Sequence, residues 1–159
     1  MGGQMQSTPE IIELLNDVLT AELTAINQYF IHYKMQENWG YDRLAGKGKE
    51  ESFGEMKHAE EIIERILYLE GVPNLQRLGS VRVGETVPEQ LAAELQTEKE
   101  AIARLTTGIQ TCRTIDEGTR LLLEEILDDE EDHADWLETQ LSIIADIGDN
   151  LYLNAQIHE

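Results

Sequence analysis

Six side chains in this sequence are of types and spacings that could do chemistry together. They fall in the order Glu22, Glu55-Met-Lys-His58, Glu98, Glu130-Glu-Asp-His133. A glutamate and a histidine three apart on a helix lie about 60° apart around its axis and about 4.5 Å along it, close enough to share or flank one metal ion. The single glutamates precede the paired ones by 33 and 32 residues. That is an internal two-fold repeat, and two helix hairpins related by an approximate two-fold axis would superpose their ligands. Two pairs with two further glutamates make a site for two metals. Oxygen-rich ligation with one imidazole per metal suits iron or manganese better than thiolate-seeking soft metals, although zinc accepts the same groups. Cys112, the only cysteine, has no place in it.

The competing reading is a solvated surface, because 32 acidic residues against 12 basic ones make a Glu three before a His easy to reach by chance. Position on the helices argues against it. Glu22 falls within a stripe made by Ile11, Leu15, Val18, Ile26, Tyr29 and Tyr33. Glu55 and His58 continue the stripe of Ile62, Ile66 and Leu69. Glu98 lies among Leu91, Leu95, Ile102, Leu105 and Ile109. Glu130 and His133 sit between Leu123, Ile126 and Leu127 on one side and Leu137, Leu141 and Ile144 on the other. Buried carboxylates without partners are destabilising by several kcal/mol each and would repel one another, and bound cations remove both problems. His32 and His158 have no acidic partner at this spacing and read as incidental. Tyr29 reads as core filler able to donate one hydrogen bond, or as an electron relay. Trp39 and Trp136 carry the same pair of readings.

The elements that must hold these groups are helical almost throughout. Helices are expected near 8–39, 44–70, 87–113 and 115–147, with a short fifth over 149–157. Ser7-Thr-Pro-Glu10, Thr86-Val-Pro-Glu89 and Thr114-Ile-Asp-Glu117 read as capping boxes. Gly40, Gly71 with Pro73, and Gly148 read as left-handed C-terminal caps. Gly46 and Gly48 blur the start of the second helix. One connection, 71–86, is long and the other two are short, so two helix hairpins are joined by a crossover. The 159 residues are expected to form one domain, with 1–7 a loose tail. A lone thiol fits a reducing compartment, with the cytoplasm as default. No apolar run approaches the roughly 20 residues of a membrane span. A net charge of −20 excludes nucleic acid as a partner and favours cations.

The stretches Glu-Leu-Thr-Ala-Ile-Asn-Gln-Tyr-Phe (22–30), Glu-Met-Lys-His-Ala-Glu (55–60), Arg-Ile-Leu-Tyr-Leu-Glu-Gly-Val-Pro-Asn-Leu-Gln (65–76) and Asp-Glu-Glu-Asp-His-Ala-Asp-Trp-Leu-Glu (129–138) resemble the bacterioferritins, and the likeness spans nearly the whole chain. The resemblance implies an all-α fold: a ferritin-like four-helix bundle with one long crossover and a short C-terminal fifth helix. It implies that Glu22, Glu55, His58, Glu98, Glu130 and His133 are the ligands of a di-iron ferroxidase centre, with Glu55 and Glu130 as bridges. It further implies oxidation of Fe(II) by O2 or H2O2 and storage of ferric mineral inside a shell of twenty-four subunits. That shell could include a second ferritin subunit type, with a ferredoxin-like reductant to release the iron. Met56 would be the axial ligand of a haem b shared between two subunits, although by spacing alone a helical methionine reads as packing filler. One departure concerns an extra iron site of His and Asp on the cavity side of the second helix in some members. Those positions here are Glu50 and Gly54.

Two rivals remain open at this point. A di-iron oxygenase or peroxide reductase on the same fold would keep its metals as a fixed cofactor and need an organic-substrate pocket. An acidic assembly protein would pair the inward Glu and His groups with basic side chains.

Overall fold

The computed structural model describes residues 8–158. Four long helices and one short one follow in chain order: α1 (Pro9–Asn38), α2 (Asp42–Tyr68), α3 (Val87–Cys112), α4 (Glu117–Ile147) and α5 (Asp149–Asn154). Helix α1 packs chiefly on α2, and α3 on α4, so two antiparallel hairpins face each other. The result is the four-helix bundle with a short C-terminal helix expected from the hydrophobic period. Among the described residues no helix is long and apolar enough to cross a membrane.

The helix ends follow local chemistry, in part differently from the sequence expectation. The Ser7–Glu10 box falls partly outside the described residues; the N-cap is Thr8, without a side-chain cap. At α3, Thr86 Oγ1 accepts from Glu89 N–H as expected, but the Glu89 carboxylate accepts from Glu85 N–H rather than from Thr86. The Thr114–Glu117 box does not form. Asp116 caps α4 instead, accepting from Thr119 N–H at 3.0 Å, and its carboxylate also takes Arg65 from α2 at 2.7 Å. A charged partner across the bundle outweighs a hydroxyl without one.

Helix α2 starts at Asp42 and runs through both early glycines. At Gly48 a Cβ would lie 2.9 Å from Tyr33 Cβ, so the glycine lets α1 and α2 close on each other. After α2 the left-handed residue is Glu70 (φ 62°), not Gly71. Gly71 serves close packing: a Cβ there would lie 2.7 Å from Ile12 Cδ1.

The crossover, 69–86, runs along α1, and a ridge of α1 receives it. Every fourth residue of α1 from Asn16 to Gln36 is polar, a span of about 30 Å. Asn16 bonds Val72 O and Asn74 N–H; Thr20 takes the Arg77 guanidinium; Thr24 accepts from Gly79 N–H. Higher up, Gln28 donates to Arg82 O, His32 Nε2 accepts from Gly84 N–H, and Gln36 donates to Gln90 at the start of α3. An extended segment without a sheet thus finds partners for its backbone polar groups. Because the crossover climbs α1 from its first turns to its last, α3 must descend antiparallel to α1.

The core is divided. One apolar cluster gathers Leu15, Leu19, Ile62, Ile66, Leu105 and Leu123. A second, at the other end, gathers Leu44, Val87, Leu91, Leu137 and Tyr152 of α5. The stripe members Ile26, Leu95, Leu127, Leu141 and Ile144 are half-buried at the edges of these clusters, and Tyr33 and Ile102 are half-buried outside them. Between the clusters lies a belt of buried polar groups.

Candidate metal centre

All six predicted side chains lie in that belt, none more than 5 % exposed. Each sits near the middle of its helix, where both neighbouring turns are packed. Glu22, Glu55, His58 and Glu130 each offer an atom within 4.8 Å of the others, and so do Glu55, Glu98 and His133. Glu55 therefore belongs to both groups, and Glu130 of the first also interacts with Glu98 of the second. His58 Nδ1 lies 3.2 Å from Glu55, 3.3 Å from Glu130 and 3.6 Å from Glu22. His133 Nδ1 lies 3.0 Å from Glu98. Both imidazoles present the same nitrogen to the carboxylates, as the internal repeat requires.

The electrostatics are those of a place that needs cations. Burial, then the charges of Glu22 and Glu130, push the Glu55 carboxyl well above its ordinary range. Burial raises Glu98 to about 8, with the charge of Glu130 adding to it and the His133 hydrogen bond opposing. Burial by itself would lower His58, but hydrogen bonds with Glu130 and Glu22 raise it to about 11. His133 is raised as well, its hydrogen bond to Glu98 overcoming burial. Protons thus hold the cluster together, and a metal would displace them. Glu22 Oε2 and Glu98 Oε2 are buried without a hydrogen-bond partner, so donor capacity remains. Among the described residues no Lys or Arg forms an ion pair with Glu22, Glu55, Glu98 or Glu130. That is the pairing the assembly-protein reading needs.

One neighbour escaped the sequence reading. Asp129, on the outside of α4, accepts at 2.8 Å from His58 Nε2, orienting the ring so that Nδ1 faces the carboxylates. Glu51 lies 3.5 Å from His133 Nδ1 and pairs with Lys47 at 2.8 Å. Tyr29 is fully buried, donates its hydroxyl to Glu98 and meets the His133 ring edge-on at 5.2 Å. Trp136 stacks on the His133 ring with centroids 6.2 Å apart. Trp39 lies away from the belt, against Tyr41. Glu50 is exposed on the α2 face that leads to the cluster, beside Gly54.

His32 is not incidental. It is fully buried, with Nδ1 2.6 Å from the carboxylate of Glu94 and Nε2 accepting from Gly84 N–H at 3.0 Å. Accepting at Nε2 fixes the proton on Nδ1, which donates to Glu94. His32→Ala leaves two buried groups unpaired, at about 1–3 kcal/mol each. The expected outcome is a lower thermal midpoint and faster amide exchange at Gly84, with metal stoichiometry unchanged. His158 is exposed.

Comparison with known proteins agrees with this architecture. Residues 12–147 match the family model of the ferritin-like domain. The chain is 54 % identical over 149 residues to the bacterioferritin of Mycobacterium leprae, covering 93 % of this chain and 94 % of that one. It is 53 % identical over 149 residues to bacterioferritin BfrA of Mycobacterium tuberculosis, with the same coverage. To the bacterioferritin of Streptomyces coelicolor it is 51 % identical over 156 residues, covering 98 % and 93 %. A divided four-helix core with its repeat of carboxylates and imidazoles, matched at more than half of all positions along nearly the full length, makes this chain a member of the bacterioferritin family.

Proposed function

We propose that the protein is an iron-storage ferroxidase in which Glu22, Glu55, His58, Glu98, Glu130 and His133 bind two Fe(II) as substrate. The single observation carrying this is the buried belt itself: four carboxylates and two imidazoles from four helices, with unpartnered oxygens and, among the described residues, no Lys or Arg paired with them. Each Fe(II) gives up one electron. The two electrons and two protons convert O2 to H2O2, or H2O2 to two waters. Glu55, common to both groups, and Glu130, which meets both His58 and Glu98, are the residues suited to bridge the ions, and Asp129 keeps His58 aligned. Ferric product collects inside a shell of twenty-four copies, which could include a second ferritin subunit type, and a ferredoxin-like reductant releases it. The charge of −20 supports a cation-attracting interior. A reducing cytoplasm supplies Fe(II) and suits the free, buried Cys112.

The test is to add Fe(II) in air, follow ferric absorbance and size the particle. Storage predicts retention of many irons per subunit. Retention of two alone identifies a fixed cofactor and the oxygenase reading. Retention of none rejects the metal centre.

The same reading gives Met56 the axial position on a haem b shared with a second copy. Met56 is 45 % exposed on α2, so its thioether is open to a ligand rather than packed as filler. Ala59, on the same stripe, is buried, and Leu67 is exposed. A haem held by thioether would serve in electron transfer. Met56→Leu is expected to abolish the haem absorption bands and leave iron oxidation measurable. Persistence of those bands rejects the assignment.

A further inference from the structure

The belt is reached from two opposite faces of the bundle, and the two openings differ in chemistry. One, of about 290 Å³, opens between α2 and α4 and ends on Glu55, His58, Glu130 and His133. The other, of about 370 Å³, opens between α1, the crossover and α3, and ends on Glu22 and Glu130. Glu130 is common to both, so the two openings meet at the cluster.

The α2/α4 opening suits a cation. Glu50, Glu51, Asp129 and Asp132 line it against Lys47 and Lys57, an excess of negative charge before the cluster itself is counted. Such a mouth concentrates cations and offers oxygens to replace their water.

The α1/α3 opening does not. Its walls are Ala21, Ala25 and Ala101 with Thr20, Thr24 and Thr97. The threonine hydroxyls are already engaged: Thr20 donates to Asn16 O, Thr24 to Thr20 O, and Thr97 to Gln28 at 2.7 Å. Its two rim carboxylates are neutralised, Asp17 by Arg77 at 2.7 Å and Glu100 by Arg82. Arg104 adds a further positive charge at the same rim. A hydrated divalent cation would meet guanidinium groups and methyl-rich walls there. A small neutral molecule would meet no barrier of charge.

Resting on the ferroxidase reading, we propose that the α1/α3 opening is the entry of the neutral oxidant, O2 or H2O2, to the Glu22–Glu130 side of the centre, separate from the cation's path. Separation has a physical use: a cation waiting in the acidic mouth does not obstruct the oxidant.

The test narrows this opening without touching a ligand. In the assembled protein, Ala21→Leu is compared with wild type, and Ala101→Val serves as a second variant in case the first disturbs α1. Initial rates of Fe(III) formation are measured against O2 concentration, and anaerobic Co(II) titration reads cation binding. The expected result is a rise of at least about fivefold in the apparent KM for O2 with Co(II) stoichiometry and affinity unchanged. An O2 dependence unaltered in variants that still bind Co(II) as wild type does overturns the proposal. So does weakened or slowed Co(II) binding with an unchanged O2 dependence, which would make this opening the cation's path. Failure of the underlying function reads differently, as absence of oxidation in the wild type itself.

Discussion

Glu55→Gln is expected to remove the two-metal capacity of the centre while making the metal-free protein more stable. Glu55 has a ligand atom within reach of both groups, so its loss weakens both halves at once. Anaerobic Co(II) titration should fall from two ions per subunit to one at most. The oxidation rate should drop by more than the roughly 10- to 100-fold that loss of an outer-shell partner costs. The gain in stability comes from the same burial. Glu55 is held among Glu22, Glu130 and Glu98, whose charges already drive its carboxyl toward the protonated form. Glutamine has the same shape, no charge, and an amide that donates to those carboxylates. A gain of about 1–3 kcal/mol is expected for relieving such a buried cluster, measured as thermal unfolding in chelator near pH 8. Two Co(II) bound with unchanged affinity would contradict the shared-ligand geometry.

The metal-free protein is expected to lose stability as pH rises, opposite to the behaviour of a carboxylate stabilised by salt bridges. Glu98 has a folded pKa of about 8 against an ordinary 4.5, because burial disfavours its charge. The folded state holds that proton more tightly than the unfolded one. Its contribution is therefore complete below about pH 4.5 and is lost between there and about 8. His58, raised from 6.5 to about 11 by its carboxylate neighbours against the effect of burial, contributes fully below about 6.5 and loses that contribution as pH passes to 11. The two windows overlap and have the same sign. Asp116 acts in the opposite sense: burial would raise it, but hydrogen bonds from Thr119 and Arg65 hold it low, so its contribution is lost only on acidification. Melts in chelator from pH 5 to pH 9 should show a falling midpoint. A divalent cation at a thousand times its dissociation constant should restore about 4 kcal/mol per site, or about 8–16 °C, since it replaces the departing protons. A midpoint rising across this range in chelator would show that the cluster is not held together by protons.

How much of this was legible beforehand differs from residue to residue. The six ligand candidates were readable because a helix maps sequence onto angle: Glu55 and His58 could be assigned to the buried stripe of Ile62 and Ile66 without knowing what α2 packs against. The crossover was legible as a gap in the period. Its anchoring was not, although Asn16, Thr20, Thr24, Gln28, His32 and Gln36 repeat every four residues. A polar ridge looks the same whether it faces water or an extended chain, and so His32 passed for incidental.

Helix register is a local property, fixed by hydrogen bonds four residues apart, and the sequence by itself determined the helices, their inward faces and the two-fold order of carboxylates and imidazoles. Contacts between elements distant in the chain follow from how those faces meet. The tertiary structure alone decided that Glu55 enters both ligand groups while Glu130 meets Glu98 as well as His58, that Asp129 holds His58, that Glu94 waits for His32, and that the belt opens on two faces of unlike charge. The physical reason is that periodicity fixes directions about one helix axis, whereas distances between side chains on different helices depend on crossing geometry and packing that no single segment encodes.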